Sequence, residues 1–544
     1  MTTIADGPVA PTVIADTDVL RIVARPRRRP IALLAGSALI ALGALLPLAF
    51  LIIQSAQAGF SLSDPQSISR LLWRSLTARL LVNTVELAVC VTVLCTVVGI
   101  AAAYATERTD LPLRRAWTVL IVLPLAIPDF IVGYTWSSIA PGLHGLAGAA
   151  LVMTLSLNPL IYLPVAAALR NSDPAREEAA RSLGLGPLAV FRRVTLRQLR
   201  PAALGGALLV CLALLAEYGA FEILRFQTFT TEIYTEFQVA FAGPTACALS
   251  LVLVALGLLV MFGRGLLAGS RPVARRTGAA RRPPARIRLG RRRAAPVLLG
   301  LLALTGLSLG VPLVTLGYWL GQPRLTTLPQ EASVPAATAT TLLYAALSAA
   351  GAVLLALPVA FLAERYPGRA SRLIERSTLT VQGLPGLAIA LALVFFAVHY
   401  FFGLYQTPVL MIAAYAIMFF PLALVSARAS VMHAPARLTE VGRSLGRRPY
   451  SVFLRVTVPL IAPGLAAGFC LVFISVTTEL TATLVLLPTG VSTLATQFWG
   501  YQNDQSYAAA APYAAAIVVI AMVPSYLLGR WFDRSRSADK ERHQ

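Results

Sequence analysis

EAARSLGLGPLAVFRRVTLRQLRPAALGG at 178–206 and EVGRSLGRRPYSVFLRVTVPLIAPGLAAG at 440–468 are two versions of one segment, set 262 residues apart and alignable without a gap. Thirteen of the 29 positions are identical. A polar loop kept twice in one chain implies a partner that comes twice. What flanks the two copies decides the kind of protein.

Of the 544 residues, 57% are apolar and only 13% charged, with a mean hydropathy of +0.73. Soluble domains carry about 25% charged residues, so the chain reads as a polytopic membrane protein. Apolar runs long enough to cross about 30 Å of hydrocarbon as helices recur along its length. They fall at 31–53, 80–104, 116–137, 147–169, 202–222, 245–264, 296–319, 340–363, 378–399, 408–428, 461–483 and 507–529. The expected fold is an all-α membrane protein of about twelve transmembrane helices. The first run is too long for a signal-peptide core, so a membrane anchor is expected despite the A-x-A pattern of Ala56 and Ala58.

The 46 basic residues set the orientation. With the amino terminus inside, only Arg70, Arg74, Arg79, Arg225 and Arg324 fall outside; the other 41, including the cluster at 25–29, lie on the inner face. Both termini are therefore expected to be cytoplasmic. The net charge of +22 faces anionic headgroups and implies no nucleic-acid role.

The stretch 264–293 carries eleven Arg with Pro272, Pro283, Pro284 and several Gly, and is expected to be a flexible cytoplasmic linker. The expected division is a tail at 1–30, a first half at 31–264 with its polar loop at 170–201, the linker at 265–295, a second half at 296–529 with its loop at 429–463, and a tail at 530–544. Other landmarks repeat across the divide. Ala105-Thr106-Glu107-Arg108 returns as Leu362-Ala363-Glu364-Arg365, and Pro128 returns as Pro385. Six crossings separate the copies, so the two six-helix halves are parallel and related by a pseudo-two-fold axis along the membrane normal.

Each loop opens on a helix-favouring segment, 174–183 or 435–445, with Pro near its start and Gly184 or Gly446 as its stop. A short helix on the cytoplasmic surface is expected. Pro187 and Pro449, Phe191 and Phe453, and Arg193 and Arg455 follow in pairs before Pro201 and Pro463 lead into the next membrane helix. An ordinary basic loop has no reason to keep these positions twice, whereas a docking surface does.

The spacing E-A-A, three residues, G, nine residues, then I-x-L-P resembles the EAA loop of the membrane subunits of bacterial ATP-binding-cassette importers. The first copy supplies Glu178, Ala179, Ala180, Gly184 and Val194-Thr195-Leu196, with Arg197 where that pattern has Pro. The second supplies Glu440, Val441, Gly442, Gly446 and Val456-Thr457-Val458-Pro459. The resemblance covers 75–264 and 335–530, is weakest in the first and seventh helices, and implies a type I ABC importer permease fold with both halves fused. It further implies that coupling helices at 174–186 and 435–448 seat in two cytoplasmic ATPase subunits, that an external binding protein or lipoprotein delivers cargo, and that the home of the chain is the bacterial cytoplasmic membrane. Within this family the segments 217–237 and 479–499 most resemble ferric-iron permeases, which are related to thiamine permeases. The 262-residue register pairs Glu217 with Glu479, Thr231 with Thr493 and Phe237 with Trp499.

A phosphate-binding loop of the G-x-x-x-x-G-K-[ST] type needs a lysine, and the sole lysine is Lys540 in the tail. ATP and its Mg²⁺ are therefore expected on the partner ATPase, with no cofactor and no enzymatic activity in this chain. Of the membrane acids Glu86, Asp129, Glu217, Glu222 and Glu479, the pair Glu217 and Glu479 are the candidate pathway residues, because symmetry brings both beside the axis. The competing reading is that each only hydrogen-bonds an adjacent helix. Asp129, next to Pro128, is expected to satisfy backbone freed at a kink.

No metal site is expected from four scattered His (His144, His399, His433, His543) or from Cys90, Cys95, Cys211, Cys247 and Cys470, which lack C-x-x-C spacing. The rival classes are an ion-driven secondary transporter and a non-transporting scaffold, neither of which needs two docking helices.

Overall fold

The computed structural model describes residues 31–57, 74–268, 287–324, 333–434 and 436–541. Nine of the described helices are long and apolar enough to cross a membrane, and three more spans consist of two helices bent at a short break, giving twelve in the expected order. The nine are Ile31–Ala56, Ser75–Arg108, Gly145–Arg170, Pro187–Ala216, Gly243–Gly263, Ala294–Leu320, Val334–Arg365, Pro449–Thr477 and Tyr507–Pro524. Large apolar side chains such as Leu39, Val82, Val89, Leu354 and Val519 are exposed along them, as a hydrocarbon solvent allows.

The third and ninth spans differ from the continuous helices expected at 116–137 and 378–399. The third is Arg114–Ala126 followed by Asp129–Ile139 at 93°, and the ninth is Arg369–Gly383 followed by Gly386–Tyr400 at 106°. Pro128 and Pro385 are the cause: each lacks an N–H, and its ring forces the preceding residue out of the helical region. Ile127 accordingly has φ −101° and ψ 118°, and Leu384 has φ −93° and ψ 119°. The broken turns close through main-chain bonds, Ile131 N to Pro128 O at 3.0 Å and Ile389 N to Pro385 O at 3.2 Å. Asp129 opens the second piece of its span but is not used to cap that break, contrary to the expectation. The tenth span bends by 55° between Pro408–Met418 and Phe420–His433.

The cores do not follow the two halves. The first span packs on the sixth, eighth and ninth, with Phe50 edge-on to Phe396 at 5.1 Å and to Tyr400 at 5.5 Å. The seventh span packs on the third and twelfth, where Trp319 Nε1 donates to Ser138 Oγ at 3.0 Å and the Trp319 ring lies 5.3 Å from Tyr507. Each half thus lends its first helix to the other, which clamps the halves together.

Residues 269–286 of the expected linker lie outside the described residues, as do the cluster at 25–29, Ala58, Arg70 and Pro435. The end of the linker is described and is fixed to the second span. Ile287 N donates to Arg108 O at 2.8 Å, Asp110 N to Ile287 O at 3.3 Å, and Leu289 N to the Asp110 carboxylate at 3.0 Å. A helix then runs from Gly290 into the seventh span.

Candidate functional site

The duplicated loops form the same structure twice. Their short helices are Pro174–Ser182 and Ala436–Ser444. The first is opened by the Asp173 carboxylate, which accepts from Ala175 N at 3.1 Å, and by Pro174 in the first turn. Both end on a left-handed glycine, Gly184 at φ +80° and Gly446 at φ +76°. Bonds from Leu185 N to Ala180 O and from Arg447 N to Gly442 O then reverse the chain. Only glycine takes this conformation freely, so Gly184→Ala or Gly446→Ala should each destabilise the helix end by about 1 kcal/mol. Local hydrogen exchange at 180–186 or 442–448 should rise several-fold while the membrane spans stay protected; unchanged exchange would sink the assignment.

Glu178, Ala179, Glu440 and Val441 are exposed, and so are the apolar pairs Leu183 with Leu445 and Leu188 with Tyr450. Ala180 is buried, and Gly442 is small for the same reason: a Cβ there would sit 3.1 Å from Val452. The motif therefore divides its labour. Its first two positions face outward, and its third packs the helix against the chain that follows.

That following chain widens into one π-turn in each copy, Phe191–Thr195 and Phe453–Thr457, and then continues as membrane helix. The fifth span consequently starts at Pro187 and not near 202, and Arg197 lies inside Leu196–Ala216, so its departure from the pattern leaves the path of the chain unchanged. Phe191 meets Tyr104 at 5.0 Å and Phe453 meets Phe361 at 5.8 Å, tying each π-turn to the second or eighth span.

The repeated Glu-Arg pair at the ends of those spans mounts the duplicated loops. Glu107 accepts from Arg170 at 2.8 Å, and Glu364 from Arg428 at 2.5 Å; Arg428 also pairs with Glu375. Arg108 donates to Ser172 Oγ at 2.7 Å, and Arg365 donates to Ala434 O at 2.7 Å, the two arginines 257 residues apart and their acceptors 262 apart. In the first half, Arg108 also donates to Glu177 at 2.8 Å, and Glu177 accepts from Thr195 Oγ1 at 2.9 Å. Both side chains of the Arg108–Glu177 pair are nearly inaccessible, at 4% and 10%. One buried joint thus links the second span, the coupling helix and the π-turn. Sequence reasoning passed over Glu177 because its counterpart is Thr439 and its neighbour Glu178 matches the motif.

At the outer end, the fifth and eleventh spans stop at Ala216 and Thr477, just before the candidate acids and not beyond them. Each acid caps a short helix that turns back: Glu217 accepts from Ala220 N at 2.7 Å, and Glu479 from Ala482 N at 3.0 Å. Both residues are half-buried. A Cβ on Gly219 would lie 2.7 Å from Leu480, so the segments behind the two acids touch across the halves. Glu86 and Glu222 are exposed, and Asp129 is half-buried.

Beyond the acids the register shifts. The helices Phe229–Gln238 and Leu494–Asn503 each begin with a reciprocal threonine cap, Thr228 with Thr231 and Thr493 with Thr496. Thr493 therefore matches Thr228, not Thr231, and Trp499 matches Tyr234, not Phe237. The cause is a loop three residues longer between Glu479 and its cap. Tyr218 meets Tyr234 at 4.5 Å and Trp499 at 5.5 Å.

The five cysteines are free thiols; Cys95 and Cys247 are buried, and Cys211 lies 3.1 Å from Thr92 Oγ1. Among the described residues no group of three or more His, Cys, Asp or Glu could hold a metal ion.

The family described as binding-protein-dependent transport system inner membrane component matches twice, at 95–270 and 352–537, leaving out the two exchanged spans. The chain is 36% identical over 507 residues to Fe(3+)-transport system permease protein FbpB 2 of Haemophilus influenzae, covering 93% of this chain and 99% of that protein. It is 23% identical over 498 residues to ferric transport system permease protein FbpB of Actinobacillus pleuropneumoniae, covering 84% of this chain and 72% of that one. It is 30% identical over 187 residues to sulfate transport system permease protein CysT of Salmonella typhimurium, covering 30% of this chain and 67% of that one.

Proposed function

The chain belongs to the binding-protein-dependent transport inner membrane components, and from that premise we propose that it is the fused permease of an ATP-driven importer of ferric iron. It is a multi-pass inner-membrane transport subunit. In this reading both termini and the linker at 265–295 are cytoplasmic, two ATPase subunits bind ATP and Mg²⁺, and an external binding protein hands over the cargo. The cargo reading is supported by the 36% identity to a protein named for Fe(3+) transport along nearly its whole length; thiamine or another small solute is the alternative.

The observation that carries the reading is the pair of coupling helices, each with the same exposed motif face and each held from the preceding span by an arginine, Arg108 or Arg365. When the ATPases close on ATP, the helices around Glu178–Ala179–Ala180–Gly184 and Glu440–Val441–Gly442–Gly446 approach each other. The π-turns and the fifth and eleventh spans carry that movement outward to Glu217 and Glu479, whose negative charge favours a cation. An ion-driven carrier has no use for such a matched pair.

Purification of the chain with a candidate ATPase tests this. Charge reversal at Glu178 and Glu440, together with Gly184→Pro and Gly446→Pro, should abolish co-purification and stimulated ATP hydrolysis. Survival of both would overturn the docking assignment. Uptake of labelled ferric iron against labelled thiamine, in cells lacking and regaining the gene, decides the cargo.

A further inference from the structure

We propose that the second half alone holds a pocket for a hard trivalent cation, its oxygen donors supplied by Glu479, Tyr344 and Tyr415 beside the apolar Met411 and Val476; the idea rests on the ferric-iron reading above. These three side chains, with Thr341 and Thr483, line a small internal cavity at the outer end of the eleventh span. It has room for about one water-sized body. A bare ion fits that space, and thiamine does not.

The hydrogen bonds leave the Tyr415 phenol available. Thr483 Oγ1 donates to Glu479 O at 2.7 Å, so in its 2.5 Å contact with Tyr415 the phenol is the donor, and the phenol oxygen keeps its lone pairs. Tyr344 is buried, with only 8% of its surface accessible, and its side chain lines the same cavity.

The pocket has no twin. Thr84 and Thr341 occupy one register, each accepting the N–H that opens a capped helix, from Phe229 at 3.3 Å and Leu494 at 3.0 Å. Three residues on, Tyr344 corresponds to Leu87; four residues beyond the paired acids, Thr483 corresponds to Phe221. Leu87 and Phe221 are both buried at 1% exposure, so hydrocarbon fills in the first half what oxygen lines in the second. A structural polar cluster needed for the fold would be expected in both halves; a cargo site needs to exist only once.

Charge selects the cargo. Carboxylate and phenol oxygens suit hard ions, and tyrosinate is an established iron ligand type. On binding, two phenolic O–H bonds break, two iron–oxygen bonds form, and two protons leave to water. One carboxylate and two phenolates then balance a 3+ charge, whereas a divalent ion would leave net charge in a low-dielectric site. Reprotonation of the phenols reverses the step and releases the ion.

The test uses the full-length chain in nanodiscs, with ferric citrate as the probe and the visible phenolate-to-iron charge-transfer band as readout. The wild type should bind one iron per chain with that band. Tyr344→Phe, Tyr415→Phe and Glu479→Gln should each weaken binding at least about tenfold, and the double phenylalanine variant should lose the band. Tyr318→Phe, at an exposed site, should keep it. Tyr344→Phe remains informative should Tyr415→Phe not assemble. Absence of bound iron in the wild type, or a band that persists in the double variant, overturns the pocket. If cells still take up ferric iron through the chain in that case, the cargo reading stands without the pocket; if the band is present but uptake is absent, the pocket stands and the cargo reading falls.

Discussion

Arg108→Met should destabilise the folded chain by about 3–5 kcal/mol, the largest loss expected from any single cytoplasmic-face substitution. Arg108 is buried at 4%, and its guanidinium holds both Glu177 at 2.8 Å and Ser172 at 2.7 Å. Removing it strands a carboxylate that keeps only the Thr195 hydroxyl at 2.9 Å and the more distant Arg181 at 3.8 Å. The cost lies in the stranded charge and not in the pair itself, so adding Glu177→Gln to Arg108→Met should recover a large part of the loss. Arg170→Met breaks a pair whose arginine is 36% exposed, and should cost no more than about 1 kcal/mol. Thermal melting of the purified chain in one detergent ranks the three variants. Equal shifts for Arg108→Met and Arg170→Met would remove the buried joint from the account. Because the joint links the coupling helix to the second span, Arg108→Met should also lower stimulated ATP hydrolysis by partner subunits while leaving Glu178 and Ala179 exposed for docking.

Spans and loops were legible in the sequence because hydrocarbon thickness and the positive-inside bias act on composition, which a sequence displays directly. Pro128 and Pro385 were visible as a pair, but not the right-angle breaks they cause, since a proline in a membrane helix can also be tolerated with a mild kink. The exchange of the first and seventh spans was not legible: a run of Leu and Ala states that a helix is buried or lipid-facing and says nothing of its neighbour. Glu177 was hidden for a different reason. Repeat comparison rewards residues kept in both copies, and Glu177 is replaced by Thr439 in the second. The same bias hid Tyr344 and Tyr415, while the uniform 262-residue offset misplaced Thr493 and Trp499 once the second loop grew by three residues. Symmetry in the sequence found the two short loop helices; its local failures mark where the halves differ.

Gly206→Leu should prevent stable assembly of the chain, and Gly206→Ala should destabilise it by about 1–3 kcal/mol. Gly206 is the last identity of the repeat, paired with Gly468, and both lie where a span leaving a coupling loop crosses its predecessor. A Cβ at Gly206 would stand 2.6 Å from Leu160 O and 2.9 Å from the Ile161 Cα, both backbone atoms that cannot rotate away. At Gly468 the nearest atom is the Ser426 Cβ at 2.9 Å and the nearest carbonyl lies 4.0 Å off, so Gly468→Ala should cost less. Gly205 supplies the control: nothing stands within 4 Å of a Cβ there, and alanine in a helix interior is favoured over glycine by up to about 1 kcal/mol. Gly205→Ala should therefore be neutral or stabilising, one residue away from a damaging change of the same chemistry. Size-exclusion profiles and melting points in detergent read the series, and similar behaviour of Gly205→Ala and Gly206→Ala would refute the close crossing. The crossing matters for transport because the fifth span joins the coupling helix to Glu217. Only when its backbone lies directly against the fourth span can a push at the cytoplasmic end tilt the two helices as one body, instead of being lost as sliding between them.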